Sequence, residues 1–181
     1  MTPESWTQLV LALLACGLVA SLLGWLPSGR SIWPPVALVL LGVSALVAAL
    51  PHTLDVGRID TAIAVSLGGL LAAFGGGPVT TRIFTIIDRG SSDAESITDA
   101  GSILRGGAWI GALERLAVFA GLATGFPEGV AVVLALKSVG RFPDLRGDGG
   151  SGAATERFII GTFSSVLWAA ACAGVIALTL R

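Results

Sequence analysis

Charge is what this sequence has least of. Asp, Glu, Lys and Arg make up 13% of its 181 residues, against 54% hydrophobic ones. A water-soluble domain carries about 25% charged residues, so this chain lies far from the soluble average. Tyrosine is absent. The five tryptophans must therefore supply most of any interfacial aromatic belt, and Trp6, Trp25, Trp33 and Trp109 stand near the ends of apolar stretches. Lysine occurs once, as Lys137, and the net charge is −1, which leaves no basic face for nucleic acid. His52 is the single histidine. Asp55 and Asp60 lie near it, but no second histidine or usable thiol completes a ligand set, so no metal and no cofactor is expected. The two cysteines, Cys16 and Cys172, fall inside apolar segments and read as small packing residues. Leu13-Leu14-Ala15-Cys16 has the form of a lipoprotein cleavage box. It follows Glu4 rather than a basic stretch, and the apolar run continues past it, so an uncleaved first span is expected.

What is present is a series of apolar stretches near the roughly 20 residues that a helix needs to cross a bilayer. Trp6–Leu26 is the first. Pro27-Ser28-Gly29-Arg30 has the composition of a tight turn. Ile32–Leu50 is the second, with Pro34 and Pro35 in its first turn, where a missing N–H costs little. Thr61–Phe74 is too short to cross alone. Gly75-Gly76-Gly77-Pro78 follows it, and the third span is expected to run on to Ile87 as a helix kinked or broken at Gly75–Pro78. In the alternative the span stops there and Val79–Ile87 lies on the membrane surface, with Val79, Ile83, Ile86 and Ile87 on one face and Thr81, Arg82, Thr85 and Asp88 on the other. Arg89–Arg105 reads as an exposed loop. Trp109–Gly125, Val130–Phe142 and Thr155–Leu180 are spans four to six, with Pro143–Ala154 as a second Gly- and Asp-rich loop. Its Gly147–Gly152 stretch lacks the Lys-Ser/Thr of a phosphate-binding loop and reads as a linker. The fold expected is an all-α integral membrane protein, one domain over 1–181, of about six transmembrane helices.

Six spans place Arg30, Arg82, Arg89, Arg105, Lys137, Arg141, Arg146 and Arg157 on or near one side. Arg58 and Arg181 fall on the other. The positive-inside rule then puts both termini outside the cytoplasm. The abundance of Ala, Gly, Val and Arg over Lys points to a bacterial chain, hence to the cytoplasmic membrane.

The chemistry-bearing residues are charges set in apolar helices, which are expensive there unless paired, hydrated or near headgroups. Glu114, Arg115, Lys137, Ser138, Arg141, Glu156 and Arg157 form the candidate polar pocket, and Glu114, Lys137, Arg141, Glu156 and Arg157 are expected to project toward the cytoplasmic leaflet. Lys137 and Arg141 are four apart and share a helix face. As a functional site the set would hold an anionic lipid headgroup, a phosphate or a coupling proton. As a structural one it would be an ion-pair network fixing helix order. Glu114, the deepest acid, is expected to find its partner among Lys137, Arg141 and Arg157. Arg115, about 100° around the same helix, is expected to reach toward phosphate or Glu156. Gly75–Pro78 has its own two readings. An interrupted membrane helix exposes backbone groups to an ion or substrate, whereas a kink serves packing.

The second half, Gly106 to Ala169, resembles a group of small, uncharacterised bacterial multi-pass membrane proteins, most like actinobacterial ones. Leu113-Glu114-Arg115-Leu116, Ala135-Leu136-Lys137-Ser138-Val139-Gly140-Arg141-Phe142 and Glu156-Arg157-Phe158-Ile159-Ile160-Gly161-Thr162 carry the likeness. It implies a membrane protein in which the charged set matters, and no activity. A fainter likeness to acyl-phosphate glycerol-3-phosphate acyltransferases rests on Asp144-Leu145-Arg146 ahead of Gly150–Thr155; the asparagines of that motif are missing here.

The leading expectation is therefore a non-enzymatic accessory or scaffold subunit in the lipid bilayer, a homo-oligomer or part of a larger membrane complex. A small transporter or lipid-handling protein using the charged pocket is the alternative. An enzyme acting on a phospholipid or polyprenyl phosphate comes third.

Overall fold

A computed structural model describes residues 3–50, 56–88, 107–146 and 152–181, without the side chains of 141–146, 153 and 154. His52, Asp55 and the loop at 89–105 lie outside the described residues. All regular structure among the described residues is helical: α1 Pro3–Leu23, α2 Trp33–Ala49, α3 Arg58–Asp88, α4 Gly107–Ala123, α5 Glu128–Arg146 and α6 Gly152–Thr179. Three of these, Pro3–Leu23, Arg58–Asp88 and Thr155–Thr179, are long and apolar enough to cross a membrane; Trp33–Ala49 is apolar but shorter.

Local sequence explains the boundaries. Pro34 and Pro35 occupy the first positions of α2, where the N–H they lack has no intrahelical acceptor. Gly125, with φ of 76°, ends α4 in the left-handed conformation that favours glycine. Phe126 N–H then donates to Gly121 O at 2.7 Å and Gly125 N–H to Leu122 O at 3.2 Å, the paired bonds that close a helix C-terminus. The chain turns back into α5 at Glu128 with Gly129 against Gly121.

Two expectations need correction. The second polar loop is shorter than its composition predicts, because residues 143–146 continue α5 and α6 begins at Gly152. More importantly, α3 is neither ended nor unwound at Gly75–Pro78. It is one α-helix of 31 residues with Pro78 inside it, about 46 Å long at 1.5 Å per residue.

α3 is the central element, packed against α1, α4 and α6, while α2 covers α1 and α6. The core joins Val10 and Leu14 of α1, Leu41 of α2, Leu71 and Ala72 of α3, Phe119 of α4, and Trp168, Cys172 and Ile176 of α6. Small residues set the spacing. A Cβ on Gly68 would fall 2.7 Å from Ile176 Cγ1, so glycine lets α6 approach α3, as small residues do where lipid is as apolar as the side chains. α5 differs from the rest. It packs chiefly on α4, and none of its described side chains is buried.

Candidate functional site

Pro78 creates the first requirement of the site. It has no N–H, so the carbonyl of Phe74, four residues back, loses its helical donor. In an apolar surrounding an unsatisfied carbonyl costs several kcal/mol. Trp25, in the turn after α1, donates its indole N–H to Phe74 O at 3.0 Å. The three carbonyls before it also receive side-chain donors. Trp168 of α6 donates Nε1–H to Leu71 O at 3.0 Å. Arg115 of α4 donates from Nε to Ala72 O at 3.1 Å and to Ala73 O at 2.9 Å, and from Nη2 to Ala73 O at 2.5 Å. Three elements thus deliver donors to four consecutive carbonyls of one helix.

The glycines make this approach feasible. A Cβ on Gly75 would overlap the Trp168 ring, one on Gly76 the Arg115 side chain, and one on Gly77 would lie 2.8 Å from the Trp25 ring. Each of the three glycines thus admits one of the three donors. Gly111, one turn before Arg115 on α4, leaves space for the guanidinium as well: a Cβ there would sit 3.2 Å from Nη1. The helix persists through Gly-Gly-Gly-Pro because neighbours satisfy and enclose its backbone.

Arg115 is 6% exposed. It is the middle residue of α4, and Ala73 is the middle residue of α3. Its remaining polar contact is from Nη1 to Ser165 Oγ of α6 at 3.4 Å. Among the described residues it has no ion pair. Backbone carbonyl dipoles take the place of a carboxylate around this buried guanidinium. The expectation that Arg115 reaches toward phosphate or Glu156 is therefore corrected: Glu156 is exposed, and the carbonyls of α3 claim the guanidinium.

Glu114 turns the other way and pairs with Lys137 Nζ on α5, the side chains being 20% and 22% exposed. Adjacent residues on α4 thus bind opposite flanks of the bundle, as their separation of about 100° around a helix requires. A cavity of about 10 Å³ lies among Glu114, Arg115, Lys137 and Ser165, with Val118, Val133, Leu134 and Val166. That is room for about one water molecule.

The other expected members are dispersed. Ser138 is exposed and donates its hydroxyl to Leu134 O at 2.8 Å, within its own helix. Arg157 donates to Asp88 Oδ1 of α3 at 2.5 Å and lies 5.8 Å from the Phe84 ring centroid. It belongs to the far end of the α3–α6 seam. The side chain of Arg141 lies outside the description. Sequence reasoning missed Trp25, Trp168 and Ser165. Trp168 carried a usable signal, because an indole in the middle of an apolar helix needs an acceptor for its N–H.

Among the described residues, the buried hydroxyls of Ser21, Thr80 and Thr162 have no hydrogen-bond partner. Cys172 is buried and Cys16 exposed, both as free thiols. Among the described residues no cluster of three or more His, Cys, Asp or Glu side chains is suited to a metal. Compared with protein-family models, curated proteins and solved structures, the chain matches none.

Proposed function

We propose that this chain is a small scaffold or accessory subunit of a bacterial cytoplasmic membrane, with six spans and both termini outside the cytoplasm. The observation that carries the reading is how three members of the charged set, Glu114, Arg115 and Lys137, are used within the bundle. Glu114 is used by Lys137, Arg115 by the carbonyls of Ala72 and Ala73, and the cavity between them holds about 10 Å³. Polar groups spent on joining α3, α4, α5 and α6 hold a bundle together. A transport or catalytic site calls for space in which a substrate can meet them.

The face available for association is on α5. Val132, Leu136 and Val139 are 55%, 69% and 71% exposed and recur at four and three residues, one stripe of a helix. A second copy of the chain is the occupant proposed for it.

Oxidative crosslinking in native membranes tests this reading. Leu136→Cys, in a background with Cys16→Ser and Cys172→Ala, should give a disulfide-linked dimer in the alkali-resistant membrane fraction. A crosslink to another protein moves the reading to the accessory form. Absence of any crosslinked product counts against association through α5. A thiol probe placed at Ser92 should be labelled from the cytoplasmic side, and labelling from outside would reverse the orientation.

A further inference from the structure

α5 is attached to the bundle more lightly than the other helices. It packs chiefly on α4, and none of its described side chains is buried. Val130 and Val133, near its start, reach the core only in part. An element with so little buried apolar surface opens at a lower free energy than the core beside it.

Two features hold it. The first is the turn. Gly125 has φ of 76°, and a Cβ on Gly121 would lie 3.0 Å from Phe126 O and 3.9 Å from Gly129 Cα. α4 and α5 therefore meet backbone to backbone beside the turn. The second is the Glu114–Lys137 pair. Lys137 stands eight residues beyond Gly129, about 12 Å along the helix at 1.5 Å per residue. Among the described residues, no other α5 side chain makes a hydrogen bond or ion pair to another helix, for Ser138 bonds within α5.

The small cavity lies between these two attachments. Val133 and Leu134 of α5 form one wall, and Arg115 and Ser165 belong to the opposite one. The hydrogen bonds of Arg115 go to Ala72 O, Ala73 O and Ser165 Oγ, on α3 and α6. None of them involves α5, so the polar joint of α3, α4 and α6 stays made when α5 moves.

We infer that α5 is a flap, hinged at the α4–α5 turn and latched by Glu114–Lys137, whose opening uncovers Arg115 and Ser165. Hinges absorb rotation in a few residues at the ends of elements, and Gly125 stands at this joint. The latch is about one-fifth exposed on each side, and an ion pair within reach of solvent holds only weakly. This goes beyond the scaffold reading, which fixes α5 in place, and it does not depend on what meets the outer stripe of α5.

The test compares two buried thiols in one chain. Ser165→Cys places a probe under the flap, at a position 7% exposed. The natural Cys172, fully buried in the core seven residues further along α6, reports opening of the bundle as a whole. Cys16→Ser removes the exposed thiol. The full chain is reconstituted in nanodiscs at one copy per disc, so association through α5 plays no part. N-ethylmaleimide labelling is followed at each cysteine by peptide mass spectrometry. Glu114→Gln should accelerate labelling at position 165 several-fold and leave Cys172 unchanged. Lys137→Met should do the same from the other side of the latch, and serves should the Glu114 variant misfold. Lys137→Arg keeps the charge and should label as slowly as the parent. Equal acceleration at Cys172 would mean that the bundle loosens throughout, and overturns the inference. So would an unchanged rate at position 165 in both neutral variants, or a Lys137→Arg chain as fast as Lys137→Met. None of these outcomes touches self-association or orientation, which the crosslinking and the Ser92 probe decide separately.

Discussion

Gly76 and Arg115 occupy one space: the Cβ that Gly76 lacks would fall on the Arg115 side chain, whose Nε donates to Ala72 O and Ala73 O. A methyl group at Gly76 must push the guanidinium off the carbonyls it serves. Overpacking of this kind costs about 1–3 kcal/mol, so Gly76→Ala should lower the melting temperature of the detergent-solubilised protein. Gly42 and Gly174 have nothing within 4 Å of a built Cβ. Alanine at either should be neutral or mildly stabilising, since glycine costs up to about 1 kcal/mol in a helix. Equal losses at all three positions would mean that Gly76 matters only as a flexible residue.

Arg115 makes no ion pair among the described residues, so its removal should behave differently from loss of an ion-pair member. Arg115→Lys keeps the charge but replaces a planar fork by a point donor. It should lose hydrogen bonds that are worth about 1.5–3 kcal/mol when the donor is charged. Arg115→Met also removes the buried charge and should be no worse than Arg115→Lys. A methionine variant far less stable than the lysine one would show that the charge itself, rather than the fork, is required.

For the Glu114–Lys137 pair the measurement is a double-mutant cycle in thermal or chemical denaturation. Glu114→Gln and Lys137→Met should each destabilise, and the double variant should recover part of the loss. The side chains are 20% and 22% exposed, so a coupling of about 0.5–3 kcal/mol is expected. A coupling of zero would reduce the pair to a surface contact. Unchanged stability in Glu114→Gln with loss of a cellular phenotype would turn the residue from structural to functional and remove the main support for the scaffold reading.

Much of this architecture was legible in the sequence, and the part that was not has a physical cause. Hydropathy placed the apolar helices to within a few residues because each obeys a local rule, as at the Pro34-Pro35 start of α2 and the Gly125 end of α4. The partner of Glu114 was among the three cations named for it, since a deep acid has few choices. The third span runs on through Gly75–Pro78 as expected, but without the break that local propensity favours. What overrides it arrives from 42, 49 and 97 residues away, through Arg115, Trp25 and Trp168. The close approach of α6 at Gly68 was equally invisible, because Gly68 and Gly69 look alike in sequence and only Gly68 lies against Ile176.

The unpartnered hydroxyls give a prediction of opposite sign. Thr162 Oγ1 is buried without a hydrogen-bond partner, and a buried polar group left unpaired costs about 1–3 kcal/mol. Thr162→Val keeps the shape and removes the hydroxyl, so it should leave the melting temperature unchanged or raise it. Thr179 is the control: its hydroxyl donates to Val175 O at 2.7 Å, and Thr179→Val should cost about 0.5–1.5 kcal/mol. Destabilisation of the Thr162 variant beyond that of the Thr179 variant would reveal a partner for its hydroxyl, such as an ordered water in the α3–α6 seam.

Trp25 and Pro78 offer the sharpest test of how α3 survives its proline. Pro78 supplies no N–H to Phe74 O, and Trp25 Nε1 reaches that carbonyl at 3.0 Å. Trp25→Phe keeps the aromatic ring while removing the donor, and should cost about 1 kcal/mol, the net worth of one hydrogen bond. Pro78→Ala restores a backbone N–H at the position that normally serves Phe74 O. The alanine variant pays separately for lost packing, since Pro78 is buried and lies against Gly24, so its own stability is not the readout. The coupling is. In the Pro78→Ala background the carbonyl has a second donor, and Trp25→Phe should then cost less than it does in the parent chain. Amide hydrogen exchange at residue 78 of the double variant should be slow, reporting a closed bond to Phe74 O. If Trp25→Phe costs the same in both backgrounds, the indole does not replace the missing N–H, and the continuity of α3 must rest on packing alone.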